Sequence, residues 1–180
     1  MKLAPEGIVA GARYAASPNC DDRPAGGPVT LLVVHSISLP PGRFGGDSVE
    51  RLFTNTLDAG ADPYFEALRG LRVSAHFLVR RDGGLVQFVP VGRRAWHAGE
   101  SRWRGRPRCN DFSVGVELEG SDDTPFEPAQ YLRLAELVRA LQAALPLTDV
   151  AAHSDIAPSR KTDPGPLFDW PRCLSLLASA

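Results

Sequence analysis

The run Thr30–Val34, TLLVV, most limits what this chain can become. It has no alternation between apolar and polar residues, so it reads as a strand buried on both faces and ending at His35. Such a strand needs cover on both sides of its sheet, and the rest of the chain supplies it. Ser113–Glu119, SVGVELE, alternates: Val114, Val116 and Leu118 take one face, and Ser113, Gly115, Glu117 and Glu119 the other. Val73–Val79 and Leu85–Val89 flank Asp82-Gly83-Gly84, a hairpin signal, and Val150–Ala152 is a further short strand leading into His153. Between Pro128 and Leu145 apolar residues recur at helical spacing; Pro128 suits a first turn and Pro146 stops the run. Asp47 or Ser48 caps a short helix through Leu52 and Phe53, and Asp169 caps a terminal helix, Pro171–Ala178. The expectation is an α/β fold: one domain over residues 1–180, with a central mixed β-sheet flanked by helices and an active-site cleft at the strand ends.

At 180 residues the chain can bury one good core but not two ordinary ones. Its net charge of -1 argues against nucleic-acid binding, which needs a basic face to neutralise phosphates. No apolar run approaches the ~20 residues of a membrane span. The start, MKLAPEGIVAGARYAASP, has no apolar signal core because Pro5 and Glu6 interrupt it, so a cytoplasmic location is expected. Cys20, Cys109 and Cys173 are odd in number and widely spaced, as reduced thiols would be. A metal would therefore sit on His and carboxylate, not on a thiolate cluster.

The candidates for chemistry lie at strand ends. His35 and His153 each follow an apolar strand, and Asp163 is fixed ahead of Pro164-Gly165-Pro166. Two imidazoles and a carboxylate are the donor set of a catalytic zinc site with one position open for water. They are equally the residues of hydrogen-bonded strand ends and an ordinary Asp-Pro turn. In an extended loop Lys161 projects to the same side as Asp163, either as a surface ion pair or as a cation beside an oxyanion. A carboxylate near such a site can act as general base, but alternation does not choose between Glu117 and Glu119.

Taken together, GARYAASPN, LLVVHSISLPPGRFGG, LRVSAHFLVRRDG, RAWHAG, RCNDFSVGVELEG and HSDIAPSRKTDPGP cover nearly the whole chain. In these segments the sequence resembles the zinc N-acetylmuramoyl-L-alanine amidases, and among them the members acting on 1,6-anhydro-muropeptides. That family shares its fold with phage T7-type lysozyme and the peptidoglycan recognition proteins. The resemblance implies Zn(2+) on His35, His153 and Asp163, with Glu117 rather than Glu119 as the catalytic carboxylate and Lys161 as the transition-state cation. Arg72, Ala95 and Arg108 fall where the family contacts the stem peptide, and His97 lies in a cleft-lining segment as a substrate contact or a packing residue. His76 is implied to be structural; Trp96 and Trp103 pack on sugar, close the cleft or fill core. Ser36 stands where the family carries an asparagine that touches substrate, which puts that contact in question because a hydroxyl has shorter reach.

The implied reaction is hydrolysis of the amide between the lactyl group of N-acetylmuramic acid and the L-alanine of its stem. It belongs to peptidoglycan recycling and, where the circuit exists, to β-lactamase induction. The implied partner is a small anhydro-muropeptide, met by a monomer without nucleic acid or membrane. Two other classes fit the fold: a non-catalytic muropeptide-binding module and a zinc peptidase of cell-wall peptides.

Overall fold

The computed structural model describes residues 1–179. In chain order the elements are β1 (Arg13–Tyr14), β2 (Cys20–Asp22), β3 (Leu31–Ile37), α1 (Ser48–Phe53), α2 (Pro63–Glu66), β4 (Phe77–Val79) and β5 (Leu85–Gln87). There follow β6 (Arg93–Ala95), β7 (Arg102–Trp103), β8 (Arg106–Pro107), β9 (Ser113–Glu119), α3 (Pro128–Gln142), β10 (Asp149–Ala152), α4 (His153–Ile156) and α5 (Trp170–Ala178). A six-stranded sheet runs β1-β5-β4-β9-β3-β10; β4 and β5 are antiparallel and every other neighbouring pair is parallel. This is the expected mixed sheet.

Cover on both faces is what β3 demanded. On one face Leu32 and Val34 join Val114, Val116, Leu118, Phe77 and Val79 against Leu134, Leu137, Val138 and Leu141 of α3. On the other, Leu31 and Val33 meet Ala98, Cys109, Phe112 and Ile156, while Leu78 and Phe88 meet Leu52, Phe53 and Phe65. Each fully buried leucine here contributes about 1.5–3 kcal/mol.

Several boundaries differ from expectation for identifiable reasons. β3 continues to Ile37 because its pairing with β9 runs on through Ile37 and Glu119, so His35 lies inside the strand and does not end it. The hairpin strands are shorter than read. The Ser74 N–H bonds the Trp96 carbonyl and the His76 N–H that of Gly115, which takes 74–76 out of the regular ladder. α3 stops at Gln142 and the chain tightens before Pro146, with both Ala144 and Leu145 bonding the Leu141 carbonyl. The Asp169 side chain caps α5 through the Arg172 N–H, whereas Asp47 precedes α1 without capping it and instead accepts from the Arg51 guanidinium.

Candidate metal centre and cleft

Register builds the site. Leu31, Val33 and His35 alternate onto the face away from α3, and His35 stands directly across from Glu117 of β9. On the other flank Ala152 of β10 pairs with Val34, so the next residue, His153, arrives beside His35. His153 opens α4 and does not close a strand; the Asp155 carboxylate accepts from the Ala152 N–H and fixes the turn. The loop after α4 folds back, with the Lys161 N–H on the Ala157 carbonyl and the Ser154 N–H on the Asp163 carbonyl. It delivers Asp163 to the two histidines.

The three donor atoms converge. His35 Nδ1 lies 2.9 Å from His153 Nδ1 and 3.1 Å from Asp163 Oδ2, which is 3.0 Å from His153 Nδ1. His35 and His153 are buried, at 1% and 3% exposure, and Asp163 is half-buried. The far nitrogen of His153 lies 3.2 Å from the Ala98 carbonyl, which can only accept. The ring proton therefore belongs on Nε2, and the Nδ1 lone pair faces Asp163. Nitrogen lone pairs and a carboxylate crowded at such distances are all satisfied at once by a bound cation, so the residues present fit a divalent metal with an open position. Burial lowers the His35 imidazole to about 4 despite the opposing hydrogen bond to Asp163, which keeps it neutral and able to ligate. Burial alone would raise the Asp163 carboxyl, but hydrogen bonds from the two imidazoles outweigh it and hold the group below its usual range.

The two glutamates separate clearly. Glu119 accepts from the Gly45 and Arg81 N–H groups and sits 3.8 Å from the Arg80 guanidinium, anchoring the loop after β3 to the end of β9. Glu117 faces the cleft, and its Oε2 is buried without a hydrogen-bond partner among the described residues. Burial first, and then the Asp163 carboxylate, push the Glu117 carboxyl well above its ordinary range, while Lys161 pulls the other way. Leaving such an oxygen unpaired costs about 1–3 kcal/mol, a cost that a purely structural site would relieve. Lys161 lines the same cleft and forms no ion pair among the described residues, so the surface pair with Asp163 is not made.

The cleft itself holds about 400 Å³. Its polar floor includes His35, Glu117, His153, Lys161 and Asp163; its apolar wall includes Leu52, Leu68, Leu71 and Trp96. Ser36 and His97 also line it. Arg72, Ala95 and Arg108 do not. Arg72 borders an adjoining recess beyond Leu68 and Leu71, and Ala95 is wholly buried in β6. Arg108 pairs with Asp111 at 3.2 Å and borders a separate recess with Arg102 and Arg160. Trp103 lies outside the cleft lining and packs against the cluster around Phe112. His76 is fully buried, accepts the Gly115 N–H at Nδ1 and contacts the Arg93 carbonyl through Nε2, a structural placement.

Residues not singled out in the sequence also build the site. The Asn110 side-chain oxygen accepts from the N–H groups of both His97 and Ala98. Asp122 accepts from the Thr162 hydroxyl at the cleft edge. Gly115 had a legible signal: a glycine inside a strand marks a close approach, here by the His97 ring.

Comparison with known proteins bears on this geometry. The family described as N-acetylmuramoyl-L-alanine amidase matches residues 25–166. The 1,6-anhydro-N-acetylmuramyl-L-alanine amidase AmpD of Escherichia coli K12 is 55% identical over 172 residues, 94% of each chain. A crystal structure of a selenomethionine AmpD derivative superposes with a TM-score of 0.95 at 53% identity, covering 98% of this chain and 99% of that one. A more distant structure, AmpDh3 of Pseudomonas aeruginosa in complex with anhydromuramic pentapeptide, has a TM-score of 0.61 at 28% identity; the match covers 85% of this chain and 61% of that one. With its cleft at the ends of β3, β9 and β10, and with likeness in sequence and fold over nearly its whole length, the chain belongs to the N-acetylmuramoyl-L-alanine amidase family.

Proposed function

We propose that this chain hydrolyses the amide between 1,6-anhydro-N-acetylmuramic acid and the L-alanine of its stem peptide, with zinc as the metal. The observation that carries the reading is a buried, unpartnered Glu117 oxygen in the same cleft as three converging metal donors. The AmpD relatives named for this bond, and the relative complexed with anhydromuramic pentapeptide, support the substrate class.

His35, His153 and Asp163 hold the metal, which when bound supplies Lewis acidity toward the scissile carbonyl and the attacking water. Glu117 takes the proton that water loses on attack and passes it to the departing alanine nitrogen. Its raised proton affinity suits a group that must hold a proton between those two moments, and the Lys161 charge works against that rise. Lys161 Nζ bears on the oxyanion of the tetrahedral intermediate. Ser36, on the cleft wall next to His35, offers a hydroxyl to the substrate. Arg72 and Arg108, outside the lining, serve as rim cations for a longer, carboxylate-bearing stem.

No helix among the described residues is long and apolar enough to cross a membrane. We place the enzyme in the cytoplasm as a monomer that consumes recycled anhydro-muropeptides. A non-catalytic binder has no use for a buried base beside an unpaired lysine. The test is a mass spectrum of anhydro-N-acetylmuramyl-tripeptide after incubation, repeated with chelator and again after zinc return. Free tripeptide and anhydro-sugar, lost on chelation and restored by zinc, support the amidase. Substrate that binds uncut points to a recognition module, and cleavage within the peptide to a peptidase.

A further inference from the structure

We propose that His97 is a positioning residue for the metal centre: its Nδ1 accepts the Nε2–H of His35 and so keeps the His35 Nδ1 lone pair turned to the metal. The direction of every bond follows from one backbone carbonyl. Ser113 Oγ lies 2.6 Å from the Cys109 carbonyl, which only accepts, so the hydroxyl proton is committed there. Ser113 Oγ is then an acceptor toward His97 Nε2, 3.2 Å away, and that nitrogen carries the His97 ring proton. His97 Nδ1 is left with its lone pair 2.9 Å from His35 Nε2. The His35 proton goes to Nε2, and Nδ1 is free to ligate.

The surroundings hold His97 in that role. Asn110 clamps the backbone on both sides of the ring through the N–H groups of His97 and Ala98. A Cβ on Gly115 would stand 2.4 Å from His97 Cγ, so β9 leaves room for the ring only because that position is glycine. The next residue treats the second histidine the same way, since the Ala98 carbonyl accepts from His153 Nε2 and from the Arg160 guanidinium. His97-Ala98 is thus one bracket that orients both imidazoles. With both ring nitrogens engaged, His97 has no polar edge left for substrate, although it borders the cleft.

The inference rests on the metal reading above, and the experiment separates the two. Nitrogen-15 spectra of the zinc-loaded protein, which has 4 histidines, report each ring's tautomer directly. His97 should be protonated at Nε2 and bare at Nδ1; the opposite tautomer overturns the proposal. Chelator-competition titration then compares wild type with H97F, which keeps a ring but no acceptor, and H97N, which keeps an acceptor near Nδ1. Zinc affinity should fall about 10–100-fold in H97F and return to within about threefold of wild type in H97N. Equal affinity in wild type and H97F overturns the role of His97 alone, while a wild type that binds no zinc overturns the metal reading. Should H97F not fold, S113A removes the acceptor that sets the tautomer: zinc-loaded S113A should show His97 with mixed ring protonation, and an unchanged tautomer counts against the relay.

Discussion

At the scale of single residues, the site divides its work between groups that hold the metal and groups that handle the proton, and the two respond differently to substitution. Glu117 lies across from His35 but is not one of the three converging donors, so its loss should spare metal binding. Glu117→Gln keeps the shape, removes the base, and should lower kcat by about 10²–10⁴-fold with zinc content unchanged. A fully active variant would remove Glu117 from the mechanism. Asp163 supplies the only anionic donor of the triad. Asp163→Ala should weaken zinc by more than about 100-fold, since losing a ligand outweighs losing a ligand's outer partner. Metal retained through extensive dialysis against chelator would contradict its assignment.

Among the elements, β9 is shared most heavily: α3 packs on one face and the catalytic cleft opens on the other. Gly115 marks the tolerance of the second face. Gly115→Ala sets a methyl against the His97 ring and should cost about 1–3 kcal/mol in urea unfolding, as overpacked cores do. Combining it with His97→Ala should cost less than the sum of the single changes, because the clash is then gone. On the first face Leu137 is fully buried, and Leu137→Ala should cost about 2–5 kcal/mol. The kinetics of the folded fraction should be near those of wild type, since α3 contributes nothing to the cleft lining.

For the molecule as a whole, burying neutral histidine makes stability depend on acid. Burial, with the Arg23 charge nearby, lowers His76 from 6.5 to about 3. Between those values the unfolded chain binds a proton that the folded one refuses. The contribution is therefore complete above pH 6.5 and is lost as pH falls toward about 3, with a slope of up to about 1.4 kcal/mol per pH unit. Urea midpoints measured from pH 7 to 4 should fall less steeply in His76→Asn than in wild type. Identical slopes would mean that another group carries the acid sensitivity.

How much of this was legible depends on the range of the interaction involved. Local patterns sufficed for the α/β class, the doubly covered β3, α3 and the Asp169 cap, because periodicity and capping act within a few residues. Resemblance across the chain marked His35, His153, Asp163, Glu117 and Lys161, which spacing alone left beside ordinary turn and surface roles. Alternation along β9 put Glu117 and Glu119 on one face and had no means of telling them apart. That distinction came from the loop after β3, whose Gly45 N–H occupies Glu119 while the neighbouring cleft leaves Glu117 unpaired. Likewise Arg72, Ala95 and Arg108 share sequence neighbourhoods with the cleft but not its lining: Ala95 is buried under packed segments, and Arg108 turns to Asp111, three residues on. The sequence by itself determined which elements form and which donor types are present. Only the tertiary structure decided which atoms meet and which way each imidazole proton points, because those depend on register across β3, β9 and β10 and on carbonyls far away along the chain.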